Sequence, residues 1–158
     1  MKKVLAVVLA LVLVFSLTAC GGKGPEGSWK ITTYLVNGED ALNKNDVNYL
    51  DKLAEKGFYF GLVVKSDKTA TLNIMGQEST LKWDDKYFTS KDEEGNEQKA
   101  EYKIDGDTLT ISNKAAGDVE MKFKRMTDSE AKKMTEQNTE ELTKAILEIA
   151  AEMAGEEE

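Results

Sequence analysis

Histidine is missing from all 158 residues, and cysteine and proline occur once each. The first absence removes the commonest general base, the commonest transition-metal ligand and every Ser-His or Cys-His nucleophile arrangement. No zinc, copper or iron site, no cofactor and no enzymatic activity is therefore expected. A single cysteine excludes an internal disulfide, so stability has to come from a packed core. Basic clusters are absent as well: 21 Lys and Arg face 29 Asp and Glu, a formal charge of −8. Nucleic acid is thus not an expected partner, since that binding rests on basic patches and counterion release. An anionic lipid surface would repel the body for the same reason. Only one long apolar run exists, Val4 to Phe15, and it falls short of the roughly 20 residues a permanent transmembrane helix needs.

What is there begins with that run. Lys2 and Lys3 precede it as a charged n-region, and Leu17-Thr18-Ala19-Cys20 follows it, with small residues just before the chain's only cysteine. This stretch resembles the lipobox of bacterial lipoproteins: Leu, a small or polar residue, Ala or Gly, then Cys. The resemblance implies that residues 1–19 are a signal peptide, that Cys20 receives a diacylglyceryl group on its sulfur, and that Cys20 becomes the first residue. It places the protein at the cell membrane, lipid-anchored on the extracytoplasmic face. Two acyl chains at about 0.8 kcal/mol per buried methylene hold a protein on a bilayer without any membrane-facing protein surface. Loss of the leader, with Lys2 and Lys3, takes the charge from −8 to −10.

Residues 20–26, glycine-rich and holding Pro25, read as a flexible tether. The first strand follows, with Trp29, Ile31, Thr33 and Leu35 alternating on one face. Val47, Leu50, Leu53 and Ala54 switch to helical spacing, with Asn45 or Asp46 as the cap and Gly57 as the stop. From Phe58 the pattern is β for about seventy residues. Phe58 to Lys65, Thr69 to Met75, Glu78 to Trp83, Tyr87-Phe88, a strand through Ala100, Tyr102 and Ile104, one through Leu109 and Ile111, and Val119 to Arg125 each carry one apolar face and are separated by turn residues. Thr127 with Glu130, and Asn138 with Glu141, suit capping boxes. Leu142, Ala145, Ile146, Ile149, Ala150 and Met153 form a helical stripe expected to pack on the outside of the strands.

Eight short strands with single apolar faces suit a closed antiparallel meander, because closure removes exposed edges. A two-sheet sandwich satisfies the same alternation. Gly27-x-Trp29 on the first strand, with Arg125 in phase on the last, resembles the signature of lipocalin-like barrels. That resemblance implies a tryptophan closing the barrel's base and an arginine over its ring. The expected fold is mainly β: a small eight-stranded antiparallel lipocalin-like barrel over residues 27–126, with a short helix after the first strand and a C-terminal helix in the tail, 127–158.

Eight strands enclose room for packed side chains or one small ligand. Phe58, Phe60, Leu62, Leu72, Ile74, Trp83, Tyr102, Met121 and Phe123 are the candidate ligand-lining or core residues, and Trp29 with Arg125 the candidate closure. The Asp92 to Glu97 run alternates oxygens as a calcium loop does, but Gly95 comes fourth where that pattern wants glycine sixth, so it reads as a solvated hairpin loop. No pair of acids is placed for glycoside hydrolysis. The expected role is a membrane-anchored binding module carrying or sensing a small apolar ligand. The alternative is a solid-cored adaptor for another envelope protein or a structural component, with no ligand.

Overall fold

The computed structural model describes residues 24–44, 47–92, 94–114 and 117–155. Eleven strands occur among them. β1 (Gly27–Val36) is followed by three two-residue strands, β2 (Glu39–Asp40), β3 (Asn43–Lys44) and β4 (Val47–Asn48). Helix α1 (Tyr49–Glu55) leads into seven more: β5 (Gly61–Val64), β6 (Thr69–Ile74), β7 (Gln77–Trp83), β8 (Tyr87–Lys91), β9 (Glu97–Asp105), β10 (Thr108–Asn113) and β11 (Val119–Arg125). Helices α2 (Asp128–Glu136) and α3 (Thr139–Gly155) complete the chain. The expected signal peptide, Cys20, the expected caps Asn45 and Asp46, and the side chain of Met153 lie outside what is described.

Strands β5 to β11 pair with their neighbours in an antiparallel meander, and β1 joins both β5 and β11. The sheet therefore closes into an eight-stranded barrel, and the sandwich is excluded. β2 adds a short hairpin to the outer end of β1, and β3 and β4 form a separate ribbon.

Closure requires one break in the alternation. Between Ile31 and Thr33 the β1–β11 register slips: Ile31 pairs with Phe123, yet Thr33 pairs with Lys122 and Tyr34 with Met121. One extra residue on a strand inverts every side chain beyond it. The expected inward face of β1 therefore holds only for Trp29 and Ile31; past the bulge Tyr34 turns inward, and Thr33 and Leu35 do not.

The other departures are local. Phe58 and Phe60 precede β5, which begins at Gly61, where a Cβ would stand 2.0 Å from the Trp29 carbonyl oxygen. No side chain fits that approach. α1 starts at Tyr49, capped by Asn48, whose Oδ1 accepts from the Leu50 amide at 2.9 Å; Gly57 ends it at a positive φ of 85°.

The tail is two helices. Thr127 and Glu130 form the capping box of α2, and Asn138 Oδ1 accepts from the amides of Glu140 and Glu141 to start α3. Lys30, on the outer face of β1, is ion-paired to Glu130 and fastens α2 to the barrel wall. The apolar stripe of α3 does more than lie on the outside. Leu142, Ala145 and Ile149 belong to the same contiguous buried cluster as the barrel interior and α1. Lys56–Glu148 at 3.0 Å and Lys52–Glu152 at 3.1 Å line up α1 and α3 above it.

Candidate functional site

The two ends of the barrel are built differently. At the end holding the start of β1 and the close of β11, two indoles plug the interior. Trp29 is fully buried, and its Nε1 donates to the Pro25 carbonyl at 2.7 Å. The Arg125 guanidinium lies over its ring, 4.0 Å from the centre, and Arg125 Nη1 donates to the Glu26 carbonyl. A buried indole N–H needs an acceptor, and the close of the tether supplies it. Pro25 is therefore itself buried against the barrel's end, although composition alone reads it as part of a tether. Gly27 belongs to the same arrangement: at φ 123°, a Cβ there would come within 2.6 Å of Arg125 Nη1.

Trp83 repeats the pattern. Its Nε1 donates to the Lys65 carbonyl at 2.9 Å, and Lys68 Nζ stands 3.6 Å above its ring. The sequence marked Trp83 as ligand-lining or core, and the structure makes it core, beside the base. Lys68 closes the turn Ser66-Asp67-Lys68 between β5 and β6, and it reaches Trp83 only because β6 and β7 are paired.

Next to these plugs the barrel is solid. Leu62, Leu109 and Phe123 are fully buried, and Phe60 and Ala70 nearly so. Toward the other end the packing opens into a cavity of about 380 Å³ lined by Tyr34, Leu72, Leu81, Phe88, Ser90, Gln98, Ala100, Ile111, Asn113, Val119 and Met121. The strand registers order this wall. Along β10 the inward residues run Leu109, Ile111, Asn113; along β11 they run Phe123, Met121, Val119; along β9, Tyr102, Ala100, Gln98. Ser90 is opposite Gln98, and Asn113 opposite Val119, at the outer ends of their strands. The cavity is thus apolar in its depth and carries hydroxyl and amide groups at its mouth.

The residues proposed from sequence divide accordingly. Leu72 and Met121 line the cavity. Leu62, Trp83 and Phe123 are packed core. Phe58 and Phe60 edge a different space, a cleft of about 50 Å³ between α1 and β1 with room for little more than water. Ile74 is half-buried at the end of β6. Tyr102 packs its ring on Phe88, centroids 5.0 Å apart, and donates its hydroxyl to the Asp84 carbonyl at 2.8 Å. Burial, reinforced by the Asp85 and Asp84 carboxylates, raises its pKa, so the phenol stays a donor. Helix α1 does not border the larger cavity. Among the lining residues that sequence reasoning missed, Tyr34 was hidden by the bulge, and Ser90, Gln98 and Asn113 by being polar on an inward face.

The Asp92 loop is organised by its own hydrogen bonds. Asp92 accepts from the amides of Glu94 and Asn96 and from the side chains of Asn96 and Gln98. The Asn96 amide above all, then the Gln98 and Asn96 side chains, hold its carboxyl below the ordinary range. An anion therefore stands beside Gln98 at the mouth.

The eight-stranded antiparallel barrel with its short helix after the first strand and its C-terminal helix is consistent with a lipocalin-like domain. Comparison with protein-family models, with curated proteins and with solved structures finds no match to this chain.

Proposed function

We propose that this protein is an extracytoplasmic lipoprotein, held on the cell membrane through a diacylglyceryl group on Cys20, whose lipocalin-like barrel carries or senses one small apolar molecule. The observation that carries the ligand reading is the cavity of about 380 Å³ at the end opposite Trp29, inside the range of roughly 300 to 1,000 Å³ common for ligand sites. Close packing is the rule for small domains, so a void this large in a barrel whose other half is solid weighs against a solid-cored adaptor. Leu17-Thr18-Ala19-Cys20 supports the anchor.

The two halves of the proposal combine geometrically. Pro25 is five residue steps from Cys20, and an extended chain spans at most about 3.5 Å per residue. The plugged base then stays within about 17 Å of the anchor.

Native mass spectrometry of the protein released from its own membrane tests the ligand, with a bound mass expected after mild release and a bare mass from every preparation against it. Labelling cells with a fatty acid tests the anchor: the wild-type chain should take up label, and Cys20→Ala should not. An unlabelled wild-type chain free in the medium would remove the anchor from the reading.

A further inference from the structure

We infer that the cavity selects an amphiphile with an uncharged, hydrogen-bonding head, such as an alcohol, amide or ester, and rejects a carboxylate of the same length. This rests on the ligand reading above and concerns which molecule the same cavity takes.

The apolar depth, Leu72, Leu81, Phe88, Ile111 and Met121, suits a hydrocarbon tail. About 380 Å³ is available to such a tail. The head is then left at the mouth among Tyr34, Ser90 and Gln98, which offer hydroxyls and an amide able to donate or accept. None of the described residues lining the cavity is charged. The lysines flanking these positions, Lys91, Lys99 and Lys114, are exposed and outside the lining. Asp92 is bonded to Gln98 at 3.2 Å, so the charge nearest that amide is negative. An ionised carboxylate drawn into this site loses water without meeting a cation, and it approaches an anion. A neutral head loses less and finds partners.

The test uses the full chain in its own membrane and two photo-reactive diazirine probes of equal length, one built on decanol and one on decanoate, with cross-links mapped by peptide mass spectrometry. The decanol probe should label the inward residues of β9 to β11. Unlabelled decanol should displace it at a concentration at least about tenfold lower than decanoate does, a difference of ~1.4 kcal/mol. Ala100→Trp, which fills the cavity from the position beside Phe88 on the paired strand, should abolish labelling. Asn113→Lys should shift the preference toward decanoate by placing a cation at the mouth, a change that a merely structural effect does not produce. Equal displacement by decanol and decanoate, or an unaltered preference in Asn113→Lys, overturns the neutral-head inference and leaves the ligand reading standing. Labelling of these strands by both probes that persists unchanged in Ala100→Trp, with that variant folded by circular dichroism, overturns both.

Discussion

Arg125 and Trp29 face each other in the β1–β11 register, with the guanidinium carbon 4.0 Å from the centre of the indole ring. The contact joins the first strand of the barrel to the last, at the point where closure either happens or fails. Stacking of this kind contributes about 0.5 to 2 kcal/mol. Arg125→Ala should lower stability by about 1 to 2 kcal/mol in urea unfolding and shift the tryptophan emission. Arg125→Lys should recover only part of the loss, because an ammonium lacks the planar face that lies on the ring. Wild-type stability and emission in both variants would show that the pair does not hold the base.

Gly27 makes the same closure sensitive from the other side. At its positive φ, a Cβ would come within 2.6 Å of Arg125 Nη1, so a side chain there has to displace the guanidinium from the indole. Gly27→Ala should therefore destabilise by more than the ~1 kcal/mol that backbone strain alone costs, and the excess should vanish in an Arg125→Ala background. Thermal melting of the two single variants and the double variant measures that coupling.

Phe123 and Met121 are neighbours on the inward face of β11, one in the solid half and one on the cavity wall. Truncation should separate them. Phe123→Ala should cost about 3 to 5 kcal/mol, as large cavities in closed cores do. Met121→Ala enlarges a space that already exists and should cost less than about 2 kcal/mol. Equal losses by denaturant unfolding would mean that the two halves are packed alike.

The tail is part of the folding unit. Ile149 is fully buried in the common core, whereas Leu147 on the same helix is 65% exposed. Ile149→Ala should cost about 2 to 4 kcal/mol, and Leu147→Ala should stay within about 0.5 kcal/mol. A chain in which Ile149→Ala melts like wild type would show that α3 is merely appended.

Acid should loosen α2 from the barrel wall. Burial pushes the Glu130 carboxyl upward, but hydrogen bonds from Lys30 and from the Thr127 amide and hydroxyl outweigh it and hold its pKa below the usual value. A lowered folded-state pKa means that the group's contribution is whole above the unfolded glutamate value of about 4.3 and is lost as pH falls through the folded value. Stability followed from pH 7 to pH 3 should fall less steeply in Glu130→Gln than in wild type.

Much of this architecture was legible because it is locally encoded. Period-two alternation from Thr69 to Trp83, Asp105-Gly106 between β9 and β10, and Thr127 with Glu130 ahead of α2 are each decided by residues a few positions apart. The pairing of Trp29 with Arg125 was reachable for a different reason, since a resemblance already joined the two ends of the barrel. Other features had no local trace. The slip after Ile31 turns Tyr34 inward only because β11 stands opposite, and periodicity in β1 alone runs straight through it. Pro25 looks like part of a linker until the Trp29 N–H requires an acceptor.

Composition and spacing by themselves determined that this is a mainly β body with a capped helical tail and one cysteine, since hydrophobic period, turn residues and caps act within a few residues. Only the tertiary structure decided which inward side chains fill the barrel and which leave space, because a void depends on strand register and on side chains that meet from opposite walls. Phe123 and Met121 read alike in sequence and differ in what faces them.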